Sequence, residues 1–164
     1  PERDEQRVSQ FVQHFGALMQ ASGMPGISAH VFALLLADED ARMTAAEIGQ
    51  ALGVSPAAVS TATSYLATIG MTRKVREPGS RRVVHALVSD DWYATMIAKN
   101  NVVAATHALL EEGARAAGGP ATPSGRRLHL NAAMFAHLGQ ALQHALSGWD
   151  ERKAAVLAEL PPLE

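Results

Sequence analysis

The chain of 164 residues contains no cysteine. Disulfides, thiolate metal sites and cysteine nucleophiles are therefore excluded, and a reducing cytoplasm suits the sequence. Aromatic residues make up only 5%, so any core must be built mostly from aliphatic side chains. Alanine supplies 31 residues. It favours helix but buries little area, so these helices gain by packing closely and by burying surface against a second chain. No apolar run approaches the ~20 residues that cross a bilayer. The polar, amphipathic N-terminal stretch does not read as a signal peptide. No phosphate-binding loop, nucleophile elbow or HExxH pair is present, which argues against an enzyme.

Charge of either sign is also scarce overall, with a formal net charge of −2. Its distribution is uneven. Residues 71–88 hold Arg73, Lys74, Arg76, Arg81 and Arg82 against Glu77 alone, a local charge of +4, while the remainder carries −6. A basic patch on an acidic body suits a DNA contact surface; a solvated hairpin whose charges guard a sheet edge is the alternative.

The stretch from Thr44 to Gly70 reads as two short helices with an abrupt stop between them. Thr44 caps the first, and Glu47 completes a capping box. Gly53 ends it in the left-handed conformation. Ser55 caps the next helix, with Pro56 at its first position. Val59, Ala62, Thr63, Leu66 and Ile69 recur at helical spacing, and Gly70 closes the helix. Gly49, Gly53 and Val59 supply close helix contact, a tight turn and a buried anchor, as a helix-turn-helix requires. Two extended runs follow, Met71–Glu77 and Arg82–Val88, around a Pro78-Gly79-Ser80 turn. A helix-turn-helix followed by a basic hairpin is a winged helix.

The flanks read as helices. Residues 4–22 place Val8, Phe11, Val12, Phe15, Leu18 and Met19 on one face. A second helix starting at Gly26 or Ser28 is apolar nearly all round and suits the buried centre of the module. After the hairpin, a long helix capped by Ser89 or Asp90 runs to about Ala117, with Asn100 and Asn101 suggesting a kink. Residues 118–125 read as the one clear linker, the stretch least suited to order. The last helix spans about 126–159, with Leu128, Phe135, Leu142, Trp149 and Val156 seven apart. That seam argues for packing against another long helix, in a partner chain rather than its own. The expected class is thus mainly α: a winged helix-turn-helix with a two-stranded β wing and long terminal dimerisation helices. The expected division is a dimerisation helix at 1–25, the DNA-binding domain at 26–89 and a helical dimerisation region at 90–164.

The stretches GMPGISAHVFALLLADE (23–39), MTAAEIGQALGVSPAAVSTATSYLATIGMTRKV (43–75) and REPGSRRVVHAL (76–87) resemble the MarR family of bacterial winged-helix transcription regulators. They look closest to the branch related to regulators of glycine betaine synthesis. The flanking helices match in placement and length rather than in motif. The resemblance implies a homodimer with interleaved terminal helices, repression from a palindromic operator, and release by a small-molecule effector in the cleft between lobe and dimerisation helices. Relatives often carry arginine near the start of the second helix, where this chain has Gly26 and His30.

In such a module the second helix of the motif enters the major groove. Ser55, Pro56, Ala57, Ala58, Ser60, Thr61 and Ser64 occupy its outward side. They allow close approach but lack bidentate arginine–guanine or asparagine–adenine contacts, so specificity is expected to lean on DNA shape and wing insertion. Ser80, Arg81 and Arg82 lie at the wing turn, with one arginine as the expected minor-groove probe. Arg73, Lys74 and Arg76 are candidates for phosphate contact, with strand alternation turning some away. A winged helix that binds an acidic protein instead of DNA is the alternative. Seven histidines raise a metal site, with His107 and Glu111 on one helix and His129, His137 and His144 on another, but the spacing completes no ligand set and no cofactor is expected. Phe15, Met19, Trp92 and Met96 suit either a pocket or the core.

Overall fold

The computed structural model describes residues 2–76, 79–93 and 102–162. Glu77 and Pro78 of the expected turn, Met96 and Ile97, and the Asn100–Asn101 pair lie outside the described residues. The elements run α1 (Glu5–Ala21), α2 (Gly26–Ala37), β1 (Arg42–Thr44), α3 (Ala45–Leu52), α4 (Pro56–Thr68), β2 (Thr72–Arg76), β3 (Val83–Leu87), α5 (Val102–Ala116), a 3-10 turn (Gly119–Ala121), α6 (Pro123–Ser147) and α7 (Trp149–Glu159). Contacts divide the chain into two units, residues 1–96 and 97–164.

In the first unit α2 is the centre. Val31, Phe32 and Leu35 are fully buried, and Ile48 of α3, Val59 and Leu66 of α4, Met71 and Leu87 close around them. Helix α1, capped by Asp4, packs against α2. Phe15, Met19 and Trp92 lie on this core rather than around a pocket. The Trp92 ring stands edge-on to Phe32 at 5.1 Å and to Phe15 at 6.1 Å. These few aromatics therefore stitch α1, α2 and the segment after β3 together, each pair adding to the area it buries.

The helix-turn-helix forms as its local chemistry requires. Thr44 and Glu47 make the full capping box. Gly53 takes φ 65°, a conformation that glycine enters without a Cβ penalty. Ser55 accepts from the Ala58 N–H at 3.3 Å. At Gly49 a Cβ would stand 3.2 Å from the Val54 carbonyl oxygen, so the turn folds tightly over this residue.

The expected two-stranded wing, β2 and β3, is joined by a short third strand into one sheet. It has three antiparallel strands in the order β1-β3-β2, with β1 pairing Arg42 with Ala86 and Thr44 with Val84. Three residues are too few to show an alternating pattern, and β1 exists because β3 offers it an edge.

The second unit holds α5, α6 and α7. The expected linker is ordered. Thr122 caps α6, accepting from the Gly125 N–H at 3.0 Å and donating to the Ala117 carbonyl at 2.5 Å. Gly125 is buried, and a Cβ there would stand 2.0 Å from the Gly119 carbonyl oxygen. The expected single last helix is broken at Gly148 into α6 and α7. The heptad seam is used inside the chain at its start: Leu128 meets Gly113 of α5, and Gly139 faces Val103. A different stripe on α6, Leu130, Met134 and Leu138, is exposed at 72%, 60% and 38%. Among the described residues, no helix is long and apolar enough to cross a membrane.

Candidate nucleic-acid interface

Helix α4 turns Val59, Ala62, Thr63 and Leu66 inward. That leaves Ser55, Pro56, Ala57, Ser60, Thr61 and Ser64 exposed, with Ala58 half-buried. The outward face carries no charged side chain. Its hydroxyls are not equivalent. Thr61 donates to the Ala57 carbonyl at 3.1 Å, spending its proton within the helix. Among the described residues the Ser60 and Ser64 hydroxyls have no hydrogen-bond partner. A hydroxyl with a free proton can donate to a phosphate or a base acceptor, while the Thr61 methyl suits the thymine methyl.

The basic residues of β2 are split by the pleat. Arg73 pairs with Ala86, as Arg42 does from the other side, so two arginines flank this alanine on one face. Lys74 and Arg76 share the opposite face, paired with His85 and Val83. All three β2 cations are exposed. Ser80 and Arg81 are exposed at the turn, and the Ser80 hydroxyl accepts from the Arg82 N–H at 2.9 Å.

Arg82 does not project freely. Its guanidinium donates to Glu47 Oε1 at 2.5 Å, joining the wing to the start of α3. The Glu47 carboxyl lies below its ordinary value of 4.5, first because the Thr44 N–H and hydroxyl donate to it, then because of the Arg82 charge. In the sequence Glu47 reads as a cap and Arg82 as one of two candidate probes, with no signal that they meet.

His85 was also missed. It is buried on the central strand, and burial, followed by the charge of Lys74, holds its pKa below 6.5. Alternation with the buried Leu87 was the available signal. The histidines that suggested metal are dispersed: His129 Nδ1 stands 3.8 Å from Glu111 Oε1, and no group of three or more candidate ligands gathers among the described residues.

Three comparisons with known proteins bear on this arrangement. No curated protein matches the chain. A transcriptional regulator of known structure shares its fold at a TM-score of 0.69 and 23% identity, over 88% of this chain and 99% of that one. Looser likenesses are Sco3205, a MarR family transcriptional regulator from Streptomyces coelicolor in complex with DNA (TM-score 0.42, 16% identity, 98% and 83% of the two chains), and Sco5413, a MarR family transcriptional regulator from the same organism (0.40, 18%, 85% and 90%). Residues 90–152 match the family model of MmpR5-like MarR family transcriptional regulators, on a chain whose fold is that of a transcriptional regulator of known structure.

Proposed function

We propose that this chain is a DNA-binding transcriptional regulator of the MarR type, a repressor that acts as a homodimer on a palindromic operator. The observation that carries the reading is the exposed, small-residue face of α4 in one fold unit with an arginine-bearing wing. The MmpR5-like match over 90–152 supports it from the other end of the chain. The motifs at 23–87 favour the branch of the glycine-betaine-synthesis regulators for that segment.

In this reading α4 enters the major groove with Ser55, Pro56, Ala57, Ala58, Ser60, Thr61 and Ser64 at base edges and phosphates. Arg81 probes the minor groove beside it, and Arg73, Lys74 and Arg76 supply phosphate contacts according to the face each occupies. The exposed Leu130, Met134 and Leu138 stripe of α6 is the surface that a second copy covers. A small-molecule effector releases the DNA, and the protein works in the cytoplasm. No catalytic step belongs to this function.

Selection of bound duplexes from random DNA tests the proposal. A pseudo-palindromic site with half-sites about one helical turn apart, ~10 bp, is the expected product. Absence of any enriched sequence overturns it and favours a winged helix that binds an acidic protein.

A further inference from the structure

Between Thr44 and Gly70 the motif carries one charged side chain, and it is acidic. Glu47 is held by its own helix start. Its Oε2 accepts from the Thr44 N–H at 2.7 Å and from the Thr44 hydroxyl at 2.8 Å. The other oxygen, Oε1, takes the Arg82 guanidinium at 2.5 Å. The carboxylate is thus an acceptor already fixed when the wing arrives. Arg82 is anchored at its main chain as well, through its N–H to the Ser80 hydroxyl.

A surface ion pair between two mobile side chains holds little, because ordering both offsets their attraction. Here the capping box has ordered one partner and the turn has ordered the backbone of the other. The pair is therefore better able than an ordinary one to keep an arginine from a phosphate. Arg81, just before it in the chain, is exposed and has no hydrogen-bond or ionic partner among the described residues.

We propose that Glu47 is a positioning residue that sets DNA specificity by holding Arg82 against α3, so that Arg81 alone is the cation offered at the wing turn. This rests on the regulator reading. The physical reason is the difference between phosphate and base contacts. A second mobile arginine would bind any phosphate and raise affinity for every sequence alike. An unpaired Glu47 would repel the backbone. Pairing the two removes both effects from a surface whose base contacts come from small, uncharged side chains.

The test is the salt dependence of binding to the selected duplex and to a scrambled one, for wild type, Arg81→Ala, Arg82→Ala, Glu47→Gln and the double variant E47Q/R82A. Glutamine keeps a capping acceptor, so α3 retains its start. Each phosphate neutralised contributes about −0.9 to the slope of log affinity against log salt. Arg81→Ala, present in both protomers of the dimer, is expected to make the slope shallower by about 1.8, and Arg82→Ala to lower affinity for both duplexes with little change of slope. Glu47→Gln, which frees one arginine in each protomer, is expected to steepen it by about 1.8 on both duplexes, with the ratio of specific to non-specific affinity falling several-fold. The double variant is expected to return to the wild-type slope. An Arg82→Ala slope as shallow as that of Arg81→Ala overturns the inference, as does a Glu47→Gln protein with slope and ratio unchanged. Those results leave the regulator reading standing; a wild type that binds no duplex overturns both.

Discussion

The imidazole of His30 lies flat against the backbone of α1 at Gly16. A Cβ on Gly16 would stand 2.6 Å from His30 Cδ2 and 2.7 Å from Cγ. The ring is not free to swing aside, because its Nδ1 is 2.8 Å from the Gly26 carbonyl, one turn back on α2. The α1–α2 contact therefore depends on a missing methyl group.

Gly16→Ala is expected to destabilise the first unit by about 1–3 kcal/mol, the usual cost of overpacking. Paired with His30→Ala the cost should shrink, because the clash goes with the ring. Urea unfolding of the two single variants and the double variant measures this coupling. Equal costs with and without the ring would show that Gly16 serves something else.

Gly125→Ala meets a harder obstacle, since its Cβ would fall 2.0 Å from a main-chain oxygen of Gly119. The expected loss is at least about 3 kcal/mol, because a backbone atom cannot rotate away. Gly139→Ala, whose Cβ would sit 3.7 Å from a Val103 methyl, is a fair control on the same helix. Thermal unfolding followed by circular dichroism should separate them clearly. Similar melting curves for both would contradict the tight turn.

Acid should weaken the fold partly through His85. Burial and Lys74 lower its pKa in the folded chain, whereas the unfolded chain takes up the proton near 6.5. Below 6.5 the unfolded state therefore binds more protons, and stability declines as the pH falls from there toward the folded value. Glu47, also lowered, adds stability above 4.5 that is lost as the pH falls through its folded value. His85→Met removes the first contribution only. Denaturant midpoints between pH 8 and pH 5.5 should fall less in this variant than in wild type. Parallel pH profiles would refute the assignment.

The exposed apolar stripe on α6 gives the oligomer a direct test. Leu130 and Met134 are 72% and 60% exposed. If a second copy covers them, Leu130→Glu with Met134→Glu should turn a dimer into a monomer in sedimentation velocity. Because neither side chain is in the chain's own core, helix content should hold. A double variant still dimeric at micromolar concentration would move the interface elsewhere.

How far the sequence can be read here follows the range of each interaction. Thr44, Glu47, Gly53, Ser55 and Pro56 act on neighbours within four residues, so their spacing alone reveals the motif, and the structure repeats it. The ordered turn at 118–125 was legible in principle, since Thr122-Pro123 is a helix start. Its glycines drew the reading toward a linker. Strand β1 was hidden because three residues carry no period and its partner lies forty or more residues on. The same distance problem hid the Glu47–Arg82 pair, 35 residues apart. The heptad seam was real but ambiguous: period shows that a face is apolar, and only the fold shows that Leu128 spends it on Gly113. Of the candidate interface, the outward face of α4 was legible from helical phase, whereas Arg81 and Arg82 read as equals and differ in their partners.

The most direct measurement is a salt series of the wild-type protein on its selected duplex. Two lobes that each neutralise about three phosphates should give a log–log slope near −5. A slope near zero, or equal binding to selected and scrambled DNA, would contradict a module that reads duplex DNA with α4 and the wing.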